Sequence, residues 1–296
     1  MAFLHQILQR KQTELAAAKK LRSLSDLKNM IGEAPALRSF SSALRNGFGL
    51  IAEIKRKSPS AGEMRKENVA EAPAAYARCP VVKAVSVLTN STDFGMGIEE
   101  LARIKSLVPQ PVLRKDFIFD EYQIYEARAF GADALLLMAN VLERDRMQRL
   151  FELSRELNLD VLFEAHTREE IESIPAGASI YGINSRNFMA SNRWHFAKLL
   201  TSLGLSNSCK GPDFSVQLQT FALIEHLPKT AIKVAESGVK PAKIAELIKL
   251  GYNAVLVGTS LLKASEGIGS ILHEFEQALA GAPQKALNQA GQSLPA

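Results

Sequence analysis

Eight short runs rich in Val, Ile and Leu lie along residues 50–257, most of them separated by a stretch of helical periodicity. Together they predict a closed (β/α)8 barrel. A length of about 210 residues for eight units suits a closed ring of parallel strands. No G-x-G-x-x-G follows the first run, which counts against an open doubly wound sheet.

The residues before the first strand read as helix. Phe3, Leu4, Ile7 and Leu8 recur at helical spacing, and Leu15 to Ala18 continue the pattern. A second helix is predicted from Ser23 through Met30, with Ser25 as its cap. Residues 1–47 are therefore a helical extension, and residues 48–281 the barrel.

The predicted strands are Leu50–Ile54, Val82–Leu88, Pro111–Lys115, Asp133–Met138, Asp160–Glu164, Ser179–Ile183, Ala231–Glu236 and Asn253–Val257. Clear helical stretches are Glu99–Leu107, Glu121–Phe130, Leu142–Leu157 and Lys240–Leu250. Gly131 and Gly251 follow two of them, where a helix end wants a left-handed residue. One connection breaks the rhythm: Asn184 to Thr230 contains an apparent insertion at residues 204–219. Residues 282–296 are polar and read as a mobile tail.

The chain is 47% hydrophobic and 23% charged, with a formal net charge of +5, as expected of a soluble protein with a large core. Basic residues cluster in Arg10–Arg22 at helical spacing, which reads as a solvated helix face rather than a nucleic-acid arm. Cys79 and Cys209 are far apart and the five histidines are dispersed, so neither a disulfide framework nor a metal site is expected. Met1–Lys11 meets polar residues too soon for a secretion signal, and no apolar run could span a bilayer. The expectation is a cytoplasmic protein.

Chemistry gathers at the C-terminal strand ends, the active face of such barrels. Strand one ends in Glu53 and Lys55, strand three in Lys115, strand five in Glu164. Strand six ends in Asn184 and Arg186, and strand seven in Glu236. Side-chain alternation puts Lys115 with Leu113, Glu164 with Leu162, and Glu236 with Val234, so these groups converge. Lysines facing carboxylates in a confined mouth can supply an acid and a base at neutral pH. Loops seven and eight, A-E-S-G-V and V-G-T-S, offer small residues and hydroxyls suited to a phosphate. Ser237, Gly238, Gly258 and Thr259 are the candidates, the alternative being ordinary turn residues.

The motifs I-A-E-I-K-R-K-S-P-S, V-S-V-L-T, V-L-R-K-D-F-I, Y-Q-I-Y-E-A-R-x-x-G-A-D-A-L-L-L, G-I-N-S-R-N and V-A-E-S-G-V occur in that order. In these motifs the chain closely resembles the indole-3-glycerol phosphate synthase family, over about residues 3–280. The resemblance implies a TIM barrel that closes the indole ring of 1-(2-carboxyphenylamino)-1-deoxyribulose 5-phosphate, with loss of carbon dioxide and water, in tryptophan biosynthesis. It implies no cofactor and no metal. Lys115 is then the general acid toward the ketone, Glu164 the carboxylate of the later dehydration, and Lys55 a binder of anionic groups that also supports the acid chemistry. Glu53 is the fourth catalytic candidate, orienting the lysines and joining the proton transfers. Asn184, Arg186 and Glu236 hold substrate, with Arg186 also paired to a carboxylate, and Ser58 touches substrate or phosphate. Phe94 and Phe117, which composition alone would assign to the core, flank the anthranilate ring.

The implied partner is this phosphorylated, anthranilate-derived small molecule. Nucleic acid and membrane are not expected. A monomer is expected, open to weak association with other enzymes of the same pathway. Two readings compete. A phosphoribosylanthranilate isomerase would use a Cys/Asp pair at strand ends, but Cys79 and Cys209 fall outside the predicted strands. A non-catalytic barrel subunit would lack one of Lys55, Lys115 or Glu164, and all three are present.

Overall fold

In the computed structural model, which describes residues 2–186 and 217–282, eight parallel strands close into one barrel. They are β1 (Gly49–Ile54), β2 (Val82–Leu88), β3 (Val112–Lys115), β4 (Ala134–Met138), β5 (Asp160–Ala165), β6 (Ile180–Asn184), β7 (Ile232–Glu236) and β8 (Ala254–Val257). Each falls within one residue of the predicted run at either end. Sequential strands pair throughout, and β1 closes the ring by pairing with β2 on one side and β8 on the other. Residues 204–216 of the predicted insertion and residues 283–296 of the tail lie outside the described residues.

Alternation sorts each strand into two faces. Ile51, Leu113, Leu136, Leu162, Val234 and Leu256 point inward and form the barrel's interior cluster. Ala52, Val85, Val112, Leu135, Phe163 and Val255 belong to the larger core between strands and helices. Fully buried aliphatic side chains of this size contribute about 1.5–3 kcal/mol each, so both layers hold the ring closed. Gly131 and Gly251 adopt positive φ (84° and 94°) behind their helices, as the sequence predicts.

Three helices precede the ring: α1 (Ala2–Leu21), α2 (Leu24–Glu33) and α3 (Phe40–Arg45). The cap of α2 is Ser23, not the expected Ser25. Asp26 stands three residues after Ser23 and completes a reciprocal pair, Asp26 N to Ser23 Oγ at 3.1 Å and Ser23 N to Asp26 Oδ2 at 2.8 Å. Three residues after Ser25 stands Lys28, which cannot accept that bond. α3 stoppers the end of the barrel where the strands begin. Its Phe40 and Leu44 join the interior cluster, and Ser41 N donates to Asp160 Oδ2 (2.9 Å) at the start of β5.

α1 explains the basic segment. Its cations grip acidic residues of the loops at the other end of the barrel: Arg10 holds Asp93 (2.5 Å), Lys11 holds Asp116 (2.5 Å) and Lys19 holds Asp120 (2.9 Å). Arg22 lies over the Phe130 ring at 4.9 Å. Lys11 is buried and also donates to Thr89 O at 3.1 Å. The clustered charge is used within the fold. Asp116, the residue after Lys115, is shared between Lys11 and the buried Arg114, which also binds Glu126 at 2.7 Å. The extension thereby fixes the chain on which Lys115 stands.

Candidate active site

The C-terminal strand ends enclose a cavity of about 380 Å³, and every candidate residue named from the sequence lines it. These residues include Glu53 and Lys55 from β1 and its loop, Lys115 from β3, Glu164 from β5, and Asn184 and Glu236 from β6 and β7. Register explains the convergence. Glu164 pairs with Gly182 across β5 and β6, and Asn184 with Glu236 across β6 and β7, so the polar groups form one layer above the apolar interior.

Lys115 is the hub of that layer. Its Nζ donates to Glu164 Oε2 at 3.0 Å and to Glu236 Oε2 at 3.4 Å. Burial disfavours its charge, yet the carboxylates of Glu164, Glu236 and Glu53 outweigh burial and hold the ammonium above the ordinary lysine value. The two carboxylates diverge. Burial would raise Glu164, but Lys115, His166 and Asn184 hold it below the usual carboxylate range. For Glu236, burial and the nearby Glu164 charge prevail over Lys115 and raise it. One buried cation between two carboxylates thus leaves Glu164 ionised and Glu236 the better proton holder. On the β1 side Lys55 Nζ bonds Glu53 Oε1 at 2.5 Å.

Two glycines make room for these carboxylates. A Cβ on Gly182 would stand 2.0 Å from Glu236 Oε1, and one on Gly258 would stand 2.4 Å from Glu53 Oε1. Gly258, read from the sequence as a phosphate-loop residue, therefore also houses a charge of β1. We expect Gly182→Ala to displace the Glu236 carboxylate from Lys115 and to lower turnover about tenfold or more. Steady-state rates beside an unchanged circular dichroism spectrum check this; near-normal turnover would show that the Glu236 position is not critical.

Arg186 departs from expectation. It was to pair with a carboxylate, but its guanidinium bonds the Ser60 hydroxyl, and its backbone N–H donates to Asn184 Oδ1 at 2.9 Å. Ser60 sits on the ribbon loop after β1 and competes at short range, while Glu53 and Glu164 act on Arg186 only through the field. Burial holds this guanidinium below its ordinary value. Ser58 is buried, and its Oγ accepts from Ala61 N at 3.1 Å, which sets the shape of the same loop.

The cavity is asymmetric. Leu88, Phe94, Phe117, Leu136 and Met138 form an apolar wall on the β2–β4 side. Ser237, Gly238, Lys240, Thr259 and Lys263 line the β7–β8 side opposite. Ser237 and Gly238 have consecutive positive φ (69° and 67°), a sharp bend of the kind that turns backbone N–H groups inward. Asn68 Nδ2 donates to Leu262 O (3.2 Å) and Ala264 O (2.9 Å), which holds the loop after β8 in place. Lys240 and Lys263 were not singled out from the sequence. Their signal was available: each is a cation directly after a candidate phosphate loop, A-E-S-G-V-K and V-G-T-S-L-L-K. Among the described residues no group of His, Cys, Asp and Glu is gathered to hold a metal ion, and no helix is long and apolar enough to cross a membrane.

The indole-3-glycerol phosphate synthase family profile matches residues 4–192, which is more than half of the chain. The chain belongs to the indole-3-glycerol phosphate synthase family. Relatives of that name agree over nearly their whole length. The protein of Bacteroides thetaiotaomicron is 34% identical over 93% of this chain and 98% of its own. That of Caldanaerobacter subterraneus is 36% identical over 89% and 94%, and that of Mycolicibacterium gilvum 37% identical over 89% and 90%. Solved barrels share the fold alone. The 3-hexulose-6-phosphate synthase of Salmonella typhimurium aligns with a TM-score of 0.52 at 13% identity, over 79% of this chain and 98% of that one. The thiamine phosphate pyrophosphorylase of Pyrococcus furiosus gives 0.53 at 14% identity, over 82% and 99%. Membership weakens the isomerase reading. Consistent with this, Cys79 is buried at the end of helix Lys66–Arg78, with its thiol on Glu276 (3.4 Å), and does not line the cavity.

Proposed function

We infer that this protein is an indole-3-glycerol phosphate synthase, a carboxy-lyase that closes the pyrrole ring of 1-(2-carboxyphenylamino)-1-deoxyribulose 5-phosphate. The observation that carries this reading is the Lys115 ammonium braced by Glu164 and Glu236 between an apolar wall and a polar, basic one. The anthranilate ring lies against Phe94, Phe117, Leu88 and Met138. The phosphate takes the opposite side, at Ser237, Gly238, Gly258 and Thr259, with Lys240 and Lys263 adding charge. Lys55 and Arg186 receive the substrate's carboxylate and hydroxyls, beside Ser58 and Asn184.

Anchoring both ends brings the ketone within reach of the ring carbon and removes much of the entropic barrier to closure. Attack by that carbon builds negative charge on the ketone oxygen. Lys115 neutralises it with a proton; the developing alkoxide binds a proton more tightly than a lysine does. Loss of carbon dioxide returns the electron pair to the ring. Loss of water then needs a proton on the departing hydroxyl, which Lys55 supplies, and a base for the proton the carbon skeleton gives up. Glu164 is the carboxylate held ionised beside the same centre. Glu53 aligns Lys55.

The deciding experiment mixes purified protein with this substrate and follows indole fluorescence and released carbon dioxide. Equal formation of both is expected, and a silent assay would overturn the reading. A second expectation concerns anchoring. The dephosphorylated substrate should show a KM at least a hundredfold higher, since several charge-assisted hydrogen bonds at about 1.5–3 kcal/mol each are lost. Equal KM values would remove the loops after β7 and β8 from phosphate binding.

A further inference from the structure

The reading above leaves one pair of ionisable groups unused. Past Glu164 the chain continues through Ala165 to His166, which is largely buried but does not line the cavity. Its backbone N–H donates to Glu170 Oε2 at 2.7 Å, and its ring Nδ1 lies 3.2 Å from the same oxygen. Glu170 is buried in the first turn of helix Arg168–Ser173, whose cap is Thr167. The ring's other nitrogen, Nε2, is 3.7 Å from Glu164 Oε1. Lys115 occupies the opposite carboxylate oxygen, Oε2. The four groups stand in a row: Glu170, His166, Glu164, Lys115.

This row bears on a choice the active site must make. Glu164 and Glu236 share one ammonium, and two buried carboxylates that close favour taking up a proton. Lys115 contacts both, Glu164 at 3.0 Å and Glu236 at 3.4 Å, so its charge is divided between them. Of the two carboxylates, it is Glu164 that has an ion-pair contact with His166. We propose that His166, oriented by Glu170, is a positioning residue that sets a positive charge against Glu164 Oε1 and so directs the shared proton to Glu236, keeping Glu164 a free base. The inference rests on Glu164 acting as that base.

The charges around the imidazole support it. Glu170 comes from the following helix, Glu164 from the same strand, and Lys115 from β3. Burial and Lys115 oppose a charged ring, and the two carboxylates prevail, which raises His166 above its ordinary value. With Nδ1–H directed at Glu170, the second proton resides on Nε2 and faces Glu164.

The sign of the consequence is fixed. The acid limb of kcat reports protonation of the base. Removing a neighbouring cation makes that protonation easier, so the limb moves to higher pH. We expect His166→Gln to move it upward by about one pH unit, with the alkaline plateau within about threefold of the parent. Glu170→Gln keeps an acceptor for the His166 backbone N–H but withdraws the charge that holds the imidazolium; it should move the limb the same way. The second variant serves where the first does not fold. Unmoved limbs in the folded variants, or a uniform fall in kcat at every pH, would overturn the inference. Failure of the wild-type protein to form the fluorescent product would instead overturn the parent reading.

Discussion

Lys115→Ala should lower turnover by roughly a hundredfold or more and leave the barrel folded. The loss is chemical because the variant lacks the ammonium that donates to the ketone oxygen. Of the other lysines that line the cavity, Lys55 is tied to Glu53 at 2.5 Å, and Lys240 and Lys263 lie on the β7–β8 wall. Lys115→Arg should recover little, since a guanidinium gives up its proton far less readily. The variant also carries a pH signature. Without Lys115, the buried Glu164 and Glu236 lose their shared cation, and both shift toward the protonated form, Glu236 the further of the two. A carboxyl raised in the folded state binds more protons there than in the unfolded chain. Its contribution to stability is therefore present at low pH and lost as pH rises. The variant should be closest to the parent near pH 5 and furthest from it near pH 8, as read by urea unfolding. Near-normal turnover would take the acid role from Lys115.

What could be read in the sequence follows from which features are local. Strand alternation is local, so the inward faces of Lys115, Glu164 and Glu236 were legible from Leu113, Leu162 and Val234. The rim composition followed from the same parity. Contacts between distant segments were not legible. The clustered cations of α1 read as a solvated face because Asp93, Asp116 and Asp120 come from loops far along the chain. Gly182 gave no sign of its purpose, because the carboxylate that needs its missing side chain arrives from β7. Arg186 was assigned a carboxylate, and a serine hydroxyl of the β1 loop took the place. His166 passed unnoticed since a lone histidine after a strand has no pattern; its contact with Glu170, one helical turn on, is set by the fold.

The largest effect on stability is expected at the opposite end of the barrel. Lys105 and Asp133 are both buried, with Nζ 2.5 Å from Oδ1 and 2.6 Å from Oδ2. Asp133 also accepts Arg38 N at 2.7 Å and Val112 N at 2.7 Å. The Arg38 side chain continues the seam, donating to Val108 O at 2.7 Å and Gln110 O at 3.0 Å. One carboxylate therefore joins the helical extension, helix Ile98–Leu107 and the start of β3. Asp133→Ala strands a buried ammonium and two backbone donors, a loss of about 3–5 kcal/mol. At roughly 2–4 °C per kcal/mol for a chain of this size, the melting temperature should fall by about 10 °C. The pairwise replacement Lys105→Met with Asp133→Leu discriminates between causes. Replacing a simple buried ion pair with apolar residues is often neutral. Here Arg38 N and Val112 N would remain without their acceptor, so the double variant should recover only part of the loss. Full recovery would mean that the lysine alone matters. A single-variant loss under about 1 kcal/mol would show that Asp133 does not hold the extension to the barrel.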